Sequence, residues 1–134
     1  MITVVVADDH YLVRQGVRAL LDNAAGIQVV GEAENGEQAV QLVQELQPDV
    51  VVMDISMPEM DGIRATERIR SLQNHTRVVI LSMYANIDLV EQALKKGATG
   101  YLLKRSTTAE LVKAVEAAKE GKQFLSAAIT GEAS

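Results

Sequence analysis

The feature that most constrains this chain is an alternation. Short β-branched apolar runs are followed repeatedly by segments whose apolar residues recur at helical spacing. The first run, Ile2 to Ala7, is continuously apolar, as a strand buried on both faces must be. Residues 27–30, 49–53, 78–81 and 101–103 repeat that character. Between them lie helical stripes: Leu12, Val13, Val17, Leu20 and Leu21, then Ala39, Leu42, Val43 and Leu46, then Ile63, Ile69 and Leu72. Leu89, Val90, Ala93 and Leu94 make a fourth stripe, and Leu111, Val115 and Ala118 a fifth.

Punctuation supports the segmentation. The first helix is expected to stop near Gly26, and Pro48 to close the second. Asn35 with Gln38 predicts an N-cap, and so does Asp61 for the third helix. Gly97 suits the left-handed position after the fourth helix, and Thr107 with Glu110 reads as a capping box for the last. Five strand–helix units in a row predict an α/β fold: a parallel sheet with helices on both faces and right-handed crossovers.

Composition narrows the function. The 134 residues fit one domain, and with one Phe, three Tyr and no Trp its core must be aliphatic. The absence of cysteine excludes disulfides and thiolate metal sites. A net charge of −5 offers no footprint for a nucleic-acid backbone. No apolar run approaches the roughly 18 residues that span a membrane. The start runs from a short apolar stretch straight into Asp8 and Asp9, without the basic region of a signal peptide, so a cytoplasmic location is expected.

Ligands of an open parallel sheet bind at the carboxyl ends of its strands, where the strand order reverses. Those ends carry Asp8–Asp9, Asp54, Ser82 and Lys104; Glu32, near the end of the second strand, is not expected in the site. Clustered carboxylates repel unless a cation joins them or a proton is retained. Oxygen donors without cysteine suit a hard ion such as Mg²⁺, which keeps waters and accepts phosphate oxygens. Lys104 adds a compact positive charge and Ser82 a hydroxyl. Such a set suits phosphoryl transfer, in which positioning and charge neutralisation do most of the work. A carboxylate can be the nucleophile, and Asp54 stands alone on its strand end, whereas the pair Asp8 and Asp9 suits metal holding.

Asp8-Asp9, the stretch from Asp54 through Ser56, Pro58 and Asp61 to Gly62, then Ser82, then Gly97 to Lys104 together resemble response-regulator receiver domains of two-component systems. The segment Ala7-Asp8-Asp9-His10-Tyr11-Leu12-Val13-Arg14-Gln15-Gly16 resembles the branch that carries a C-terminal LuxR-type helix-turn-helix, the NarL/FixJ-like group. The resemblance covers residues 1 to about 121 and implies a flavodoxin-like receiver fold with strand order 2-1-3-4-5. It implies that Asp54 accepts a phosphoryl group from a sensor histidine kinase. It also implies that Asp9, Asp54 and the Ser56 carbonyl ligate Mg²⁺ directly, with Asp8 acting through water. Lys104 and Ser82 would contact the phosphoryl group, Ser82 moving inward on phosphorylation, and Tyr101 would change rotamer to carry the state to a surface. That surface would control dimerisation or an output domain for transcription. Residues 122–134 read as a tail or truncated linker to a missing effector domain, so DNA binding is expected only through that domain.

Two positions depart from the family pattern. Arg105 follows Lys104 where many receivers have a cis proline, and a non-proline cis bond costs about 3 kcal/mol. Met83 stands where a small residue usually leaves the acceptor accessible, and Ser56 and Tyr84 occupy positions that tune dephosphorylation. Taken singly, each site residue has a plainer reading. Asp8 and Asp9 would cap the first helix, Asp54 would be a loop acid, Lys104 a surface lysine, Ser82 a turn residue and Tyr101 a half-buried strand aromatic. His10 and His75 read as exposed, and Arg14, Arg18, Arg64, Arg68 and Arg70 as solvated helix faces. Two other functions compete. An aspartate-nucleophile phosphohydrolase would place a general acid where Ser56 stands, and a flavin binder would need aromatic loops that are not evident.

Overall fold

The computed structural model describes residues 1–130. Strand β1 (Ile2–Ala7) leads to α1 (Tyr11–Asp22), β2 (Ile27–Ala33) to α2 (Gly36–Leu46), and β3 (Val50–Asp54) to α3 (Gly62–Ser71). Strand β4 (Arg77–Ser82) precedes α4 (Ile87–Lys95), and β5 (Gly100–Leu103) runs through a 3₁₀ turn, Lys104–Ser106, into α5 (Thr107–Lys119). A two-residue β6 (Phe124–Leu125) and a short α6 (Ala127–Thr130) follow. The sheet order is β2-β1-β3-β4-β5-β6, with every pairing parallel. The expected order 2-1-3-4-5 is present, and a sixth strand extends it.

Period-two alternation divides the core. Val5, Val51, Met53, Val78, Ile80 and Tyr101 face α2, α3 and α4. Val4, Val6, Val52, Val79, Leu81 and Leu102 face α1 and α5. Both sets are buried, which is why the strands read as continuous apolar runs. No helix among the described residues is long and apolar enough to cross a membrane.

Several caps form as expected. The Asn35 side chain accepts from Gln38 N and that of Asp61 from Arg64 N, while Gly97 takes a φ of 110° just beyond α4. The capping box at Thr107 and Glu110 does not form. Thr107 Oγ1 donates to the Lys104 carbonyl, and Glu110 turns to the end of β6. Strand β2 is longer than expected and includes Glu32. The stripe of α1 is also shifted. Arg14, Val17 and Leu21 are buried, whereas Leu12 and Val13 are exposed, so Arg14 is not a solvated residue.

After α5, the chain through residue 130 includes β6 and α6. Strand β6 pairs Phe124 with Gly100 and Leu125 with Tyr101. Ser126, fully buried, accepts from Leu103 N and donates to Glu110, whose other oxygen accepts from Ala127 N. Residues 131–134 lie outside the described residues.

Candidate functional site

Strand order reverses between β1 and β3: β2 lies on one side of β1, and β3, β4 and β5 on the other. Asp8 and Asp54 stand at the carboxyl ends on the two sides of that switch point, and Lys104 follows β5 two strands away. The fold brings the three together. Lys104 Nζ donates to Asp54 Oδ2 at 3.1 Å and lies 3.4 Å from Asp8 Oδ2. Asp8 and Asp54 are almost completely buried.

One ammonium therefore serves two buried carboxylates. Burial pushes the Asp54 carboxyl above its usual range and the Asp8 charge adds to this, outweighing Lys104. Burial alone would lower the Lys104 ammonium, but Asp54 and Asp8 overcome it and raise it instead. The two shifts agree: the cation is well satisfied, and Asp54 is short of positive charge.

Asp8 shows that shortage at atomic scale. Its Oδ1 accepts from His10 N at 2.8 Å, so the side chain braces its own turn rather than capping α1 in the standard way. Its Oδ2 is buried and accepts no hydrogen bond. A buried carboxylate oxygen without a donor is costly unless a cation serves it. Ligand atoms of Asp8, Asp9, His10 and Asp54 all lie within 4.8 Å of one another. The orphaned oxygen and the mainly carboxylate donors fit a hard divalent ion such as Mg²⁺. Ser56 is exposed beside this cluster, and its N–H donates to Asp54 Oδ1 at 3.3 Å, which ties its chain segment to that carboxylate.

Ser82 is fully buried but turns to its own loop, its Oγ accepting from Tyr84 N at 3.0 Å. Tyr101 is not half-exposed as an isolated aromatic would be. It is fully buried, donates to the Tyr84 carbonyl at 3.1 Å, and lies against Ser82. Ser82, Tyr84 and Tyr101 thus form one hydrogen-bonded unit. An open cleft of about 740 Å³ beside the site is lined by Asp9, His10, Ser56, Pro58 and Tyr84. Tyr84 rather than Met83 borders it; Met83 is 69% exposed. The peptide after Lys104 is trans, like every other peptide bond among the described residues.

Arg14 and Glu32 were not apparent as site neighbours from the sequence. Arg14 Nη1 donates to the Asp8 carbonyl at 2.7 Å, and its Nε to Glu32 Oε1 at 2.8 Å. The available signal was position: Arg14 sits three residues before Val17 and seven before Leu21, on the inward stripe. His10 is exposed but lies 3.2 Å from Asp9 Oδ1, and His75 Nε2 lies 3.5 Å from Asp49 Oδ1.

Comparison with known proteins agrees with the geometry. A model of the response regulator receiver domain matches residues 4–116. Among curated relatives, the nitrate/nitrite response regulator protein NarL of Escherichia coli is 41% identical over 128 residues, 96% of this chain and 59% of that protein. The transcriptional regulatory protein LiaR of Bacillus subtilis is 39% identical over 132 residues, 98% of this chain and 63% of that protein. The chain thus spans about 60% of the length of these relatives. A LuxR-family two-component response regulator from Aurantimonas superposes with a TM-score of 0.92 at 38% identity, covering 97% of this chain and 93% of that one. The isolated receiver domain of RcsB from Salmonella enterica gives 0.88 at 28% identity, covering 98% and 97%. With the acidic switch-point site, the doubly wound sheet and this match in hand, the chain belongs to the response regulator receiver domain family.

Proposed function

We propose that the chain is a phosphorylation-activated switch in which Asp54 accepts a phosphoryl group from a sensor histidine kinase. The observation that carries this reading is the sharing of Lys104 by two buried carboxylates, with Asp8 Oδ2 held only by the 3.4 Å ion pair and by no hydrogen bond.

In the transfer, a carboxylate oxygen of Asp54 forms a bond to phosphorus as the bond to the donor imidazole nitrogen breaks. The electron pair stays on that nitrogen. Lys104 neutralises charge on the transferred group, and burial of Asp54 keeps competing water away. Asp9, Asp54 and the Ser56 carbonyl would hold Mg²⁺, with Asp8 acting through water. When bound, the ion would neutralise phosphoryl oxygens and orient the donor.

The Ser82–Tyr84–Tyr101 unit is the switch element of this reading. A phosphoryl group on Asp54 competes for the Ser82 hydroxyl, which frees the Tyr84 loop and the Tyr101 phenol. The population then shifts toward a surface that favours dimerisation or release of an output domain. The solved RcsB relative was prepared with the phosphomimetic BeF₃⁻, in keeping with such chemistry. The receiver is assigned to residues 1–121, with the following segment leading toward an effector domain through which DNA binding would run. A cytoplasmic setting accords with this partner set.

A phosphohydrolase reading is disfavoured by Ser56, which stands where a general acid would be needed. Incubation with acetyl phosphate and Mg²⁺ separates the two. A switch takes up at most one phosphoryl group per chain, whereas sustained release of phosphate from a phosphomonoester would sink the proposal.

A further inference from the structure

We infer that Arg14 is a positioning residue for the acceptor site, holding the Asp8 main chain with Glu32 as its counter-charge. This rests on the reading of Asp54, Asp8 and Lys104 as a phosphoryl-acceptor site.

Arg14 is 7% exposed, and a guanidinium so buried is costly unless its donors are used. One edge donates to Glu32 and Nη1 donates to the Asp8 carbonyl. Glu32 is itself gripped by α1: Gln15 Nε2 donates to Oε1, and Arg18 Nη1 pairs with Oε2. The Tyr11 ring covers the guanidinium, 5.5 Å from its centroid. A planar fork in this setting holds two acceptors in one fixed geometry, which a lysine's point charge on a flexible stem does not impose.

The consequence falls on Asp8. Its N–H donates to the Ala33 carbonyl at 3.0 Å and its carbonyl accepts from Arg14, so both main-chain polar groups are tied. With Oδ1 engaged by His10 N, Oδ2 is left aimed at Lys104 and the cation position. The clamped carbonyl belongs to the peptide joining Asp8 to Asp9, so the clamp also sets the direction of Asp9.

A purely electrostatic role makes the opposite prediction. Deleting a positive charge near an acidic cluster would strengthen cation binding, whereas loss of positioning weakens it. The test is a Mg²⁺ titration of the whole chain, read from the amide resonances of Asp8 and Asp9, for wild type, Arg14→Met and Arg14→Lys. The expected result is a rise of about tenfold or more in the Mg²⁺ dissociation constant of Arg14→Met, the usual scale for groups that orient ligands. Arg14→Lys, which keeps the charge but not the fork, shifts the same way and serves alone if the Met variant does not fold. An unchanged or lower dissociation constant in a folded variant overturns the inference. Absence of any Mg²⁺ response in wild type overturns instead the acceptor-site reading on which it rests.

Discussion

Asp54 sits where its charge costs stability. Its carboxyl is raised by burial first and the Asp8 charge second, so the folded state holds a proton there more tightly than the unfolded chain does. The associated stability is complete below the unfolded carboxylate value of about 4 and is lost as pH rises through the raised folded value. An asparagine is neutral throughout. Asp54→Asn is therefore expected to melt at a higher temperature than wild type at pH 7, with the gap closing as pH falls through the raised folded value and closed below about 4. Equal melting curves at neutral pH would contradict the described electrostatics. At this scale the strand-end positions of Asp8, Asp9, Asp54, Ser82 and Lys104 are legible in the sequence, because each ends or follows an apolar run. Arg14 was missed because its partners are Glu32 and the Asp8 carbonyl, and only the β1–β2 register brings them to α1.

The loop between β3 and α3 carries Ser56 and is shaped by close backbone approaches rather than by side chains. A Cβ on Gly62 would lie 2.4 Å from the Asp54 carbonyl oxygen and 2.9 Å from Ile55 Cα, and one on Gly36 would lie 2.3 Å from the Met60 carbonyl oxygen. Both obstacles are main chain, so the loop must move to make room. Gly62→Ala is expected to destabilise the chain by about 1–3 kcal/mol and to slow labelling of Asp54 in the protein that remains folded. Urea unfolding and the rate of phosphoryl uptake measure the two effects, and normal values for both would refute the packing argument. Helix and strand identities followed from periodicity, while the start of α5 did not. Thr107 and Glu110 have the spacing of a capping box, yet the 3₁₀ turn after β5 and the nearby Ser126 draw both side chains elsewhere.

For the whole molecule, the sheet closes with a segment the sequence hardly announces. Phe124 and Leu125 are too short a run to read as a strand, and β6 exists because β5 offers a free edge with parallel register. Ser126 then ties that edge to α5 and serves the buried N–H of Leu103, next to Lys104. Ser126→Ala leaves that N–H without a partner and should cost about 1–3 kcal/mol, visible as a lower unfolding midpoint. No change would mean that β6 is marginal to the domain. The five strands that build the site were readable as a class because their burial on both faces writes itself as apolar runs. The sixth was not, because its stability comes from its neighbours. The central claim is that the three strand ends make Asp54 the acceptor. Its most direct test is phosphoryl uptake from acetyl phosphate with Mg²⁺, followed by intact-protein mass spectrometry of wild type and Asp54→Asn. The account predicts one added phosphoryl group on wild type and none on the variant. Equal uptake by both would contradict it.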